Sequence, residues 1–332
     1  MRSPGFRMKR SSVLLGVLLG IFAAQAWAQS AVWRIANEYP ASSMPGEADS
    51  HFARLVAEKT GGRLLIEPVP DAKSGLKTRE QIAAVASGAW AMADSFGGAL
   101  SDEDPLFLLS TLPFLAVSSA DAKRLFDIAR PAYERRFAAR NQKLLYISPW
   151  PASGIWSRAR LPDTAALAGL KIRTYDKTSS DIFNRAGSRA EVISFADLPA
   201  RMAAGEINAV LSSGDGGAAR RLWDQLKVFT EINYAIPLSF ATVNLDAWRR
   251  LDPATRAAVE AAAGETSDRQ WQAMQGRVEQ NYARMRSNGM AIVSPASTEL
   301  LAALRRTADG AIAEWAQRSG DEGRSILEAY RR

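Results

Sequence analysis

The sequence predicts an α/β protein made of two lobes with a cleft between them. Strand-like apolar runs alternate with helical stretches, a pattern typical of α/β sheets with mostly parallel strands. Residues 29–332 form a chain longer than a single hydrophobic core usually supports, so more than one lobe is expected. No long linker or internal repeat interrupts the chain, so we expect it to cross between the lobes several times, as in a hinged protein.

The predicted elements follow this alternation in order. Strands are expected at residues 32–36, 63–69, 144–148 and 190–193, and helices at 52–60 and 78–87. Ser194 and Asp197 predict a capping box for a helix that runs to residue 204. The region from Asp252 to Asn288 predicts either one helix of about 50 Å or two helices broken at Gly264.

Residues 1–28 have the features of a secretory signal peptide. Four basic residues precede an apolar run at 13–24, and Ala26-Trp27-Ala28 matches a small-residue cleavage site. The apolar run is shorter than the roughly 20 residues that span a bilayer. We therefore expect cleavage near Ala28–Gln29 and a mature chain outside the cytoplasm.

The composition argues against several classes of function. The net charge of +7 falls to +3 without residues 1–28, and no basic stripe predicts nucleic-acid binding. The chain has no cysteine, which removes disulfides, thiolate nucleophiles and cysteine metal sites. His51 is the single histidine, and no G-x-S-x-G motif accompanies it. We expect no catalytic residue, cofactor or metal. An enzyme that uses paired carboxylates is the alternative that the composition leaves open.

The segment Leu167–Thr174 carries the most informative motif. Its sequence predicts a helix end, a glycine turn and a short strand that presents Arg173. A guanidinium group is planar and permanently charged, and it can hold a carboxylate through two parallel hydrogen bonds. Taken alone, however, an arginine at a strand end is more often a solvated surface charge.

Several further motifs occur in a characteristic order along the chain. They are Phe52-Ala53 with Glu58–Leu64, Leu112–Leu115, Gly169–Arg173, Ala204–Ala209 and Val243–Trp248. Together these motifs resemble the solute-binding proteins of tripartite ATP-independent periplasmic (TRAP) transporters, extracellular solute-binding family 7. Asn208 departs from the family pattern, in which an aspartate is usual at this position.

The resemblance implies a two-lobed periplasmic binding protein fold with an interlobe cleft and a long helix that spans both lobes. It divides the chain into a signal peptide at 1–28, lobe I at 29–153 plus 238–277, and lobe II at 154–237 plus 278–332. It further implies a periplasmic receptor, expected to be a monomer, that captures a small organic acid by lobe closure. The receptor would deliver this acid to the small and large membrane subunits of a TRAP permease.

The resemblance also implies that Arg173 pairs with the ligand carboxylate. Some relatives carry a second arginine at the position of Trp156, so Arg173 would be the principal cation here. Arg158 would either assist it or point to solvent. The expected ligand-binding residues are Arg173, Trp156, Phe96, Ser212, Phe240, Asn37 and Glu38.

These residues suggest a monocarboxylate with an apolar, branched or aromatic body. The aromatic side chains would wall the ligand, and Ser212, Asn37 and Glu38 would form directional hydrogen bonds. A buried Glu38 would repel dianionic ligands. Ordinary core packing is the alternative for each aromatic residue.

Two other functions remain open from the sequence. A sensory domain of the same fold would bind the ligand without transport, and the neighbouring reading frames would distinguish it. A secreted enzyme that uses carboxylates would be revealed by turnover of candidate acids.

Overall fold

The computed structural model describes Met1 and residues 31–332, which form two α/β lobes as predicted. The predicted signal peptide and its cleavage site lie outside this part of the chain apart from Met1. In chain order the strands are β1 (Ala31–Asn37), β2 (Leu64–Val69), β3 (Met92–Phe96), β4 (Gln142–Pro149), β5 (Ser153–Ser157), β6 (Lys171–Thr174), β7 (Arg189–Val192), β8 (Ala209–Ser213), β9 (Val228–Thr230), β10 (Leu238–Asn244) and β11 (Ala291–Val293).

Ten α-helices accompany these strands in residues 31–332. They are α1 (Met44–Thr60), α2 (Thr78–Ala86), α3 (Ser119–Ala138), α4 (Lys177–Arg185), α5 (Leu198–Ala203), α6 (Gly214–Ala219), α7 (Leu245–Arg249), α8 (Pro253–Ser287), α9 (Thr298–Thr307) and α10 (Ala311–Arg331), the last interrupted at Gly320. Short 3₁₀ helices include Pro105–Thr111 and Phe195–Asp197.

Each lobe contains one sheet, and in both sheets all strands but one run in the same direction, as the predicted mostly parallel strands require. The first has the order β2-β1-β3-β10-β4, and the second has the order β11-β9-β5-β8-β6-β7. In the first sheet β10 runs antiparallel to both neighbours, and in the second β5 does the same. These two strands follow the crossovers between the lobes, so each enters its sheet from the cleft side and opposes the parallel strands.

The long helix predicted between the lobes is continuous. Helix α8 has 35 residues, and the Asp252 side chain caps it by accepting a hydrogen bond from the Thr255 amide at 3.0 Å. Gly264 lies within the helix without breaking it. The helix packs on α1 and β4 of the first lobe and on α6 and β11 of the second, which matches a length of about 50 Å.

The C-terminal helix corrects the predicted division of the chain. Its apolar residues Trp315, Ile326 and Leu327 belong to the hydrophobic cluster beneath the first sheet, together with Phe240. The Trp315 indole also donates to the Pro105 carbonyl at 2.6 Å. Residues 311–331 therefore pack on the first lobe, although the prediction placed all of 278–332 in the second.

Candidate functional site

Arg173 is buried in the second lobe and held in one orientation. It lies on β6, between β7 and β8, and is 3% exposed. Its Nε donates to the Ile193 carbonyl at 2.8 Å, and one Nη donates to the Leu211 carbonyl at 3.1 Å. These two anchors fix the guanidinium plane, and no carboxylate in residues 31–332 forms an ion pair with it.

Aromatic rings from both lobes surround this guanidinium. It lies 5.9 Å from the ring centre of Tyr175 and 5.5 Å from that of Phe195. Tyr39 approaches from the first lobe and stacks on Phe195 at a centroid distance of 4.5 Å. Burial raises the pKa of the Tyr39 phenol, although the neighbouring Arg173 favours its ionised form. The phenol is therefore a neutral hydrogen-bonding group beside the cation.

A cavity of about 240 Å³ opens beside Arg173 between the lobes. Its lining includes Glu38, Tyr39, Phe96, Arg173, Tyr175 and Phe195. A smaller void of about 10 Å³ shares Arg173 and continues to Ser212, Ser213 and Trp150. We call these two spaces together the cleft cavity. The cleft cavity thus joins the Arg173 guanidinium to aromatic walls and a few hydroxyl groups, while Lys77 and Arg79, its other basic lining residues, are paired with Asp197 and Asp102. This composition suits a small acid.

Glu38 bridges the two lobes at the edge of the cleft cavity. One carboxylate oxygen accepts from the Thr78 amide and hydroxyl at 2.8 and 2.6 Å. The other oxygen accepts from the Ala196 amide at 2.8 Å and from the Ser194 hydroxyl. Burial opposes ionisation, but these four hydrogen bonds outweigh it and lower the pKa of Glu38 below its ordinary value.

This bridge corrects the capping box predicted for Ser194. The Ser194 side chain makes no capping hydrogen bond, and its hydroxyl donates to the Glu38 carboxylate of the other lobe. The following helix, α5, begins only at Leu198. Asp197 in turn pairs with Lys77 of the first lobe at 2.8 Å. The predicted cap therefore contributes to the contact between the lobes.

Trp156 lies in the core of the second lobe rather than in the cleft cavity. Its side chain is fully buried, its indole donates to the Ser213 carbonyl, and its ring packs on Gly217 and Phe229. Side chains alternate along a strand, so Trp156 faces away from the surface that presents Ser153 to the cavity. Arg158, which follows β5, is exposed and does not line the cavity.

Phe240 and Asn37 also lie outside the cavity lining. Phe240 is fully buried under the first sheet and packs on Tyr133 at a centroid distance of 4.7 Å. The Asn37 side chain donates to Asp49 at 2.7 Å and accepts from the Tyr39 amide at 2.8 Å. Asn37 therefore supports the backbone at Tyr39 without lining the cavity.

Of the predicted site residues, the structure brings four to the cleft cavity: Arg173, Phe96, Ser212 and Glu38. Tyr175, Trp150 and Phe195 also line the cavity, although they were not among the predicted contacts. Tyr39 and Tyr175 closely follow β1 and β6, and in α/β sheets the residues beyond the carboxyl ends of strands line the ligand crevice. Their position just after a strand is the sequence feature that could have identified them as contacts.

A buried carboxyl pair lies behind Asn37 in the first lobe. Asp49 accepts from the Tyr146 hydroxyl at 2.8 Å, and Asp94 lies beside it on β3. Burial and the neighbouring Asp49 carboxylate raise the pKa of Asp94 well above its ordinary value. The raised pKa favours the protonated, neutral form of Asp94 beside the Asp49 carboxyl group.

Residues 31–332 contain no group of three or more acidic or histidine side chains arranged to hold a metal ion. Nor does any helix in this part of the chain have the length and apolarity needed to cross a bilayer.

Two α/β lobes, a chain that passes between them several times and a cation in the interlobe cavity define a solute-binding protein of the hinged, two-lobed class. The model of the family described as bacterial extracellular solute-binding protein, family 7, matches residues 35–318. The chain belongs to this family, and the resemblance to TRAP solute-binding proteins is confirmed. The family and the fold are those of transport receptors.

Solved structures of relatives agree with this assignment. DctP7 of Bordetella pertussis, an extracytoplasmic solute receptor described as binding pyroglutamic acid, is 28% identical with a TM-score of 0.87. The match covers 91% of this chain and 100% of that one. A marine metagenome TRAP protein described as specific for pyroglutamate is also 28% identical, with a TM-score of 0.86 over 91% and 99% of the two chains.

A curated relative shows the same kinship at lower identity. It is a solute-binding protein of Chromohalobacter salexigens that is 25% identical over 269 residues, or 79% of this chain and 78% of the relative.

Proposed function

We propose that this protein captures a small organic monocarboxylate between its lobes and delivers it to a TRAP-type membrane permease. Arg173 carries this proposal, because it is 3% exposed and borders the cavity without an ion-pair partner in the described residues. A buried charge is costly unless it is paired. A ligand carboxylate would supply the opposite charge. It would accept hydrogen bonds from the guanidinium N–H groups that do not donate to the Ile193 and Leu211 carbonyls.

Glu38 limits the ligand to one negative charge in this proposal. Its carboxylate lines the same cavity and stays ionised at neutral pH, because its pKa is lowered. A second carboxylate on the ligand would be repelled by it. The other basic lining residues, Lys77 and Arg79, are already paired with Asp197 and Asp102, so only Arg173 is left to compensate the ligand, which makes dicarboxylates poor ligands.

Pyroglutamate is the first candidate among such acids. Two relatives described as receptors for it share 28% identity and nearly the whole fold with this chain. It has one carboxylate and a small flat ring, which suits the space between Tyr39, Phe96 and Tyr175. The expected apolar body depended on Trp156, Phe96 and Phe240, of which only Phe96 lines the cavity, so the proposal does not require it.

A thermal-shift screen of organic acids tests this function. A ligand that binds the native state at 100 times its dissociation constant stabilises it by about 2.7 kcal/mol. We expect pyroglutamate or another cyclic monocarboxylate to give the largest shift, with glutarate and glucuronate giving little. Dicarboxylates as the best ligands would contradict the proposal, and sugar acids as the best ligands would contradict the choice of pyroglutamate.

Two arginine variants test whether Arg173 acts by contacting the ligand or only through the overall charge of the protein. Arg173→Ala should weaken the best acid by about 30-fold to 150-fold, or 2–3 kcal/mol, because a charged hydrogen-bond partner is lost. The exposed Arg158→Ala is the matched control and should bind as the wild type does. Equal affinity for the Arg173 variant would refute the assignment of the anchor.

A further inference from the structure

Tyr39 brings a hydroxyl group of the first lobe to the cationic anchor of the second. It follows β1, and its side chain borders both parts of the cleft cavity, as Arg173 does. Burial raises the pKa of Tyr39, and hydrogen bonding and positive charge from Arg173 oppose this rise. The phenol therefore stays protonated, with its oxygen next to the guanidinium.

Packing and hydrogen bonds hold Tyr39 in this place. Its ring stacks on Phe195 of the second lobe at 4.5 Å between centroids, and packs on Trp150 at 4.7 Å. Its amide donates to the Asn37 side chain at 2.8 Å, and its carbonyl accepts from the Asp71 amide at 2.8 Å. Ring and backbone are both fixed, so the hydroxyl has little freedom to move away from the guanidinium.

Both groups keep donors for an occupant of the cavity. Arg173 uses its Nε and one Nη on the Ile193 and Leu211 carbonyls, and its other Nη makes neither bond. The Tyr39 O–H cannot donate to Arg173, because a guanidinium has no acceptor. Neither the phenol oxygen nor the second Nη is enclosed by the surrounding protein, so a bound molecule can reach both.

The other side-chain donors that the first lobe adds to the cavity are already in use. The Thr78 hydroxyl donates to the Glu38 carboxylate at 2.6 Å, and the Trp150 indole donates to a serine of β10 at 3.0 Å. Lys77 and Arg79 are held in ion pairs. That leaves the phenol as the neutral side-chain donor that the first lobe offers within the described lining.

A carboxylate fits this pair of donors. It has two oxygens that only accept hydrogen bonds, and bonds to an ionised acceptor are stronger than bonds to a neutral one. One oxygen can face the guanidinium while the other accepts from the phenol O–H.

We propose that the Tyr39 hydroxyl donates to the same ligand carboxylate that Arg173 binds. Tyr39 belongs to the first lobe and Arg173 to the second, so one carboxylate joins both lobes only when they are closed. Tyr39 is then a specificity residue that couples recognition of the acid to closure. Its role rests on the acid site proposed above, to which it adds the contact made by the first lobe.

Calorimetric titration of the full-length Tyr39→Phe protein with pyroglutamate tests the contact itself. The substitution removes the hydroxyl and keeps the ring on Phe195 and Trp150. We expect pyroglutamate to bind at least about tenfold more weakly than to the wild type, as for loss of a hydrogen bond to a charged group.

Amide hydrogen exchange at Ala196, which donates to Glu38 across the cleft, tests the coupling to closure. Saturating pyroglutamate should slow this exchange at least about tenfold in the wild type and less than about threefold in Tyr39→Phe. Without pyroglutamate the two proteins should exchange alike. A hydroxyl with a merely structural role would not change the response to the acid.

Tyr330→Phe is the matched control. Its hydroxyl on α10 donates to the Leu115 carbonyl at 3.2 Å and lies outside the cleft cavity. This variant should bind pyroglutamate and slow the Ala196 exchange as the wild type does. Melting temperatures of both variants establish that they fold.

The outcomes separate the role of Tyr39 from the acid site itself. Unchanged pyroglutamate affinity in Tyr39→Phe, with binding lost in Arg173→Ala, would overturn the role of Tyr39 and leave the acid site intact. Full slowing of Ala196 exchange in saturated Tyr39→Phe would also overturn that role. Equal affinity of Arg173→Ala and the wild type, or no saturable heat with the wild type, would overturn the pyroglutamate site and the role of Tyr39 with it.

Discussion

Glu38→Gln should favour the open form of the protein. The two Glu38 oxygens each accept two hydrogen bonds, one pair from Thr78 and the other from Ser194 and Ala196 across the cleft. A glutamine has one acceptor oxygen, so its amino group must face one of these donor pairs. The substitution therefore removes two hydrogen bonds and places donors against donors.

The size of the effect follows from the bonds removed. A hydrogen bond to a charged group contributes about 1.5–3 kcal/mol, so two of them amount to about 3–6 kcal/mol in the closed form. Water solvates the separated groups when the lobes open, which returns part of this energy. We therefore expect the equilibrium to shift toward the open form by at least about 1.4 kcal/mol, a factor of ten.

Amide hydrogen exchange at Ala196, combined with small-angle X-ray scattering, measures the shift. In the absence of an organic-acid ligand, the variant should exchange the Ala196 amide hydrogen at least tenfold faster than the wild type. It should also have a larger radius of gyration. Glu67→Gln is the control, because Glu67 is exposed and its contact with Arg34 at 3.7 Å is a surface ion pair of little energetic weight. Unchanged exchange and scattering in a folded Glu38→Gln protein would refute the reasoning.

Four further predictions concern pH and packing. Because the pKa of Glu38 is lowered, its contribution to closure is complete above the ordinary value of 4.5 and is lost as the pH falls through the lowered value, so acid scattering should show opening; closure that persists at pH ~2 would contradict this. Gly217→Ala should lower the melting temperature at a cost of about 1–3 kcal/mol, because the new Cβ would lie 2.1 Å from the Trp156 ring. Gly264→Ala, which meets no atom within 4 Å inside α8, should instead be neutral or stabilising by up to about 1 kcal/mol. Asp94→Asn should stabilise the protein at about pH 8, because a raised pKa makes the stability of the folded protein fall as the pH rises above the ordinary Asp pKa of 3.8. A variant melting temperature at pH ~8 no higher than that of the wild type would contradict the idea that the buried Asp94 destabilises the protein.

Features that depend on neighbouring residues could be predicted from the sequence. The Asp252 cap and the absence of interior proline predicted a helix start that the structure confirms, although the choice between one helix and two needed the fold. The glycine turn before Arg173 likewise placed a short strand correctly at residues 171–174. In each case the hydrogen bonds that decide the structure are local.

Features that depend on contacts across the fold were not predictable. The alternation of β5 shows that Trp156 and Ser153 face opposite sides, but it does not show which side faces the cleft. Ser194 had a local partner for a cap, yet the Glu38 carboxylate from the other lobe accepts its hydrogen bond. The apolar face of α10 indicates a packed helix without identifying the lobe that receives it.

The central claim is that Arg173 binds the carboxylate of the ligand. The most direct measurement is a double-mutant cycle by calorimetry, with pyroglutamate and its neutral primary amide titrated into the wild type and Arg173→Met. We predict a coupling of at least about 2 kcal/mol, the energy of a charged hydrogen-bond pair. In that case the wild type prefers the acid strongly and the variant has lost this preference. The same preference for the acid in both proteins would contradict the claim.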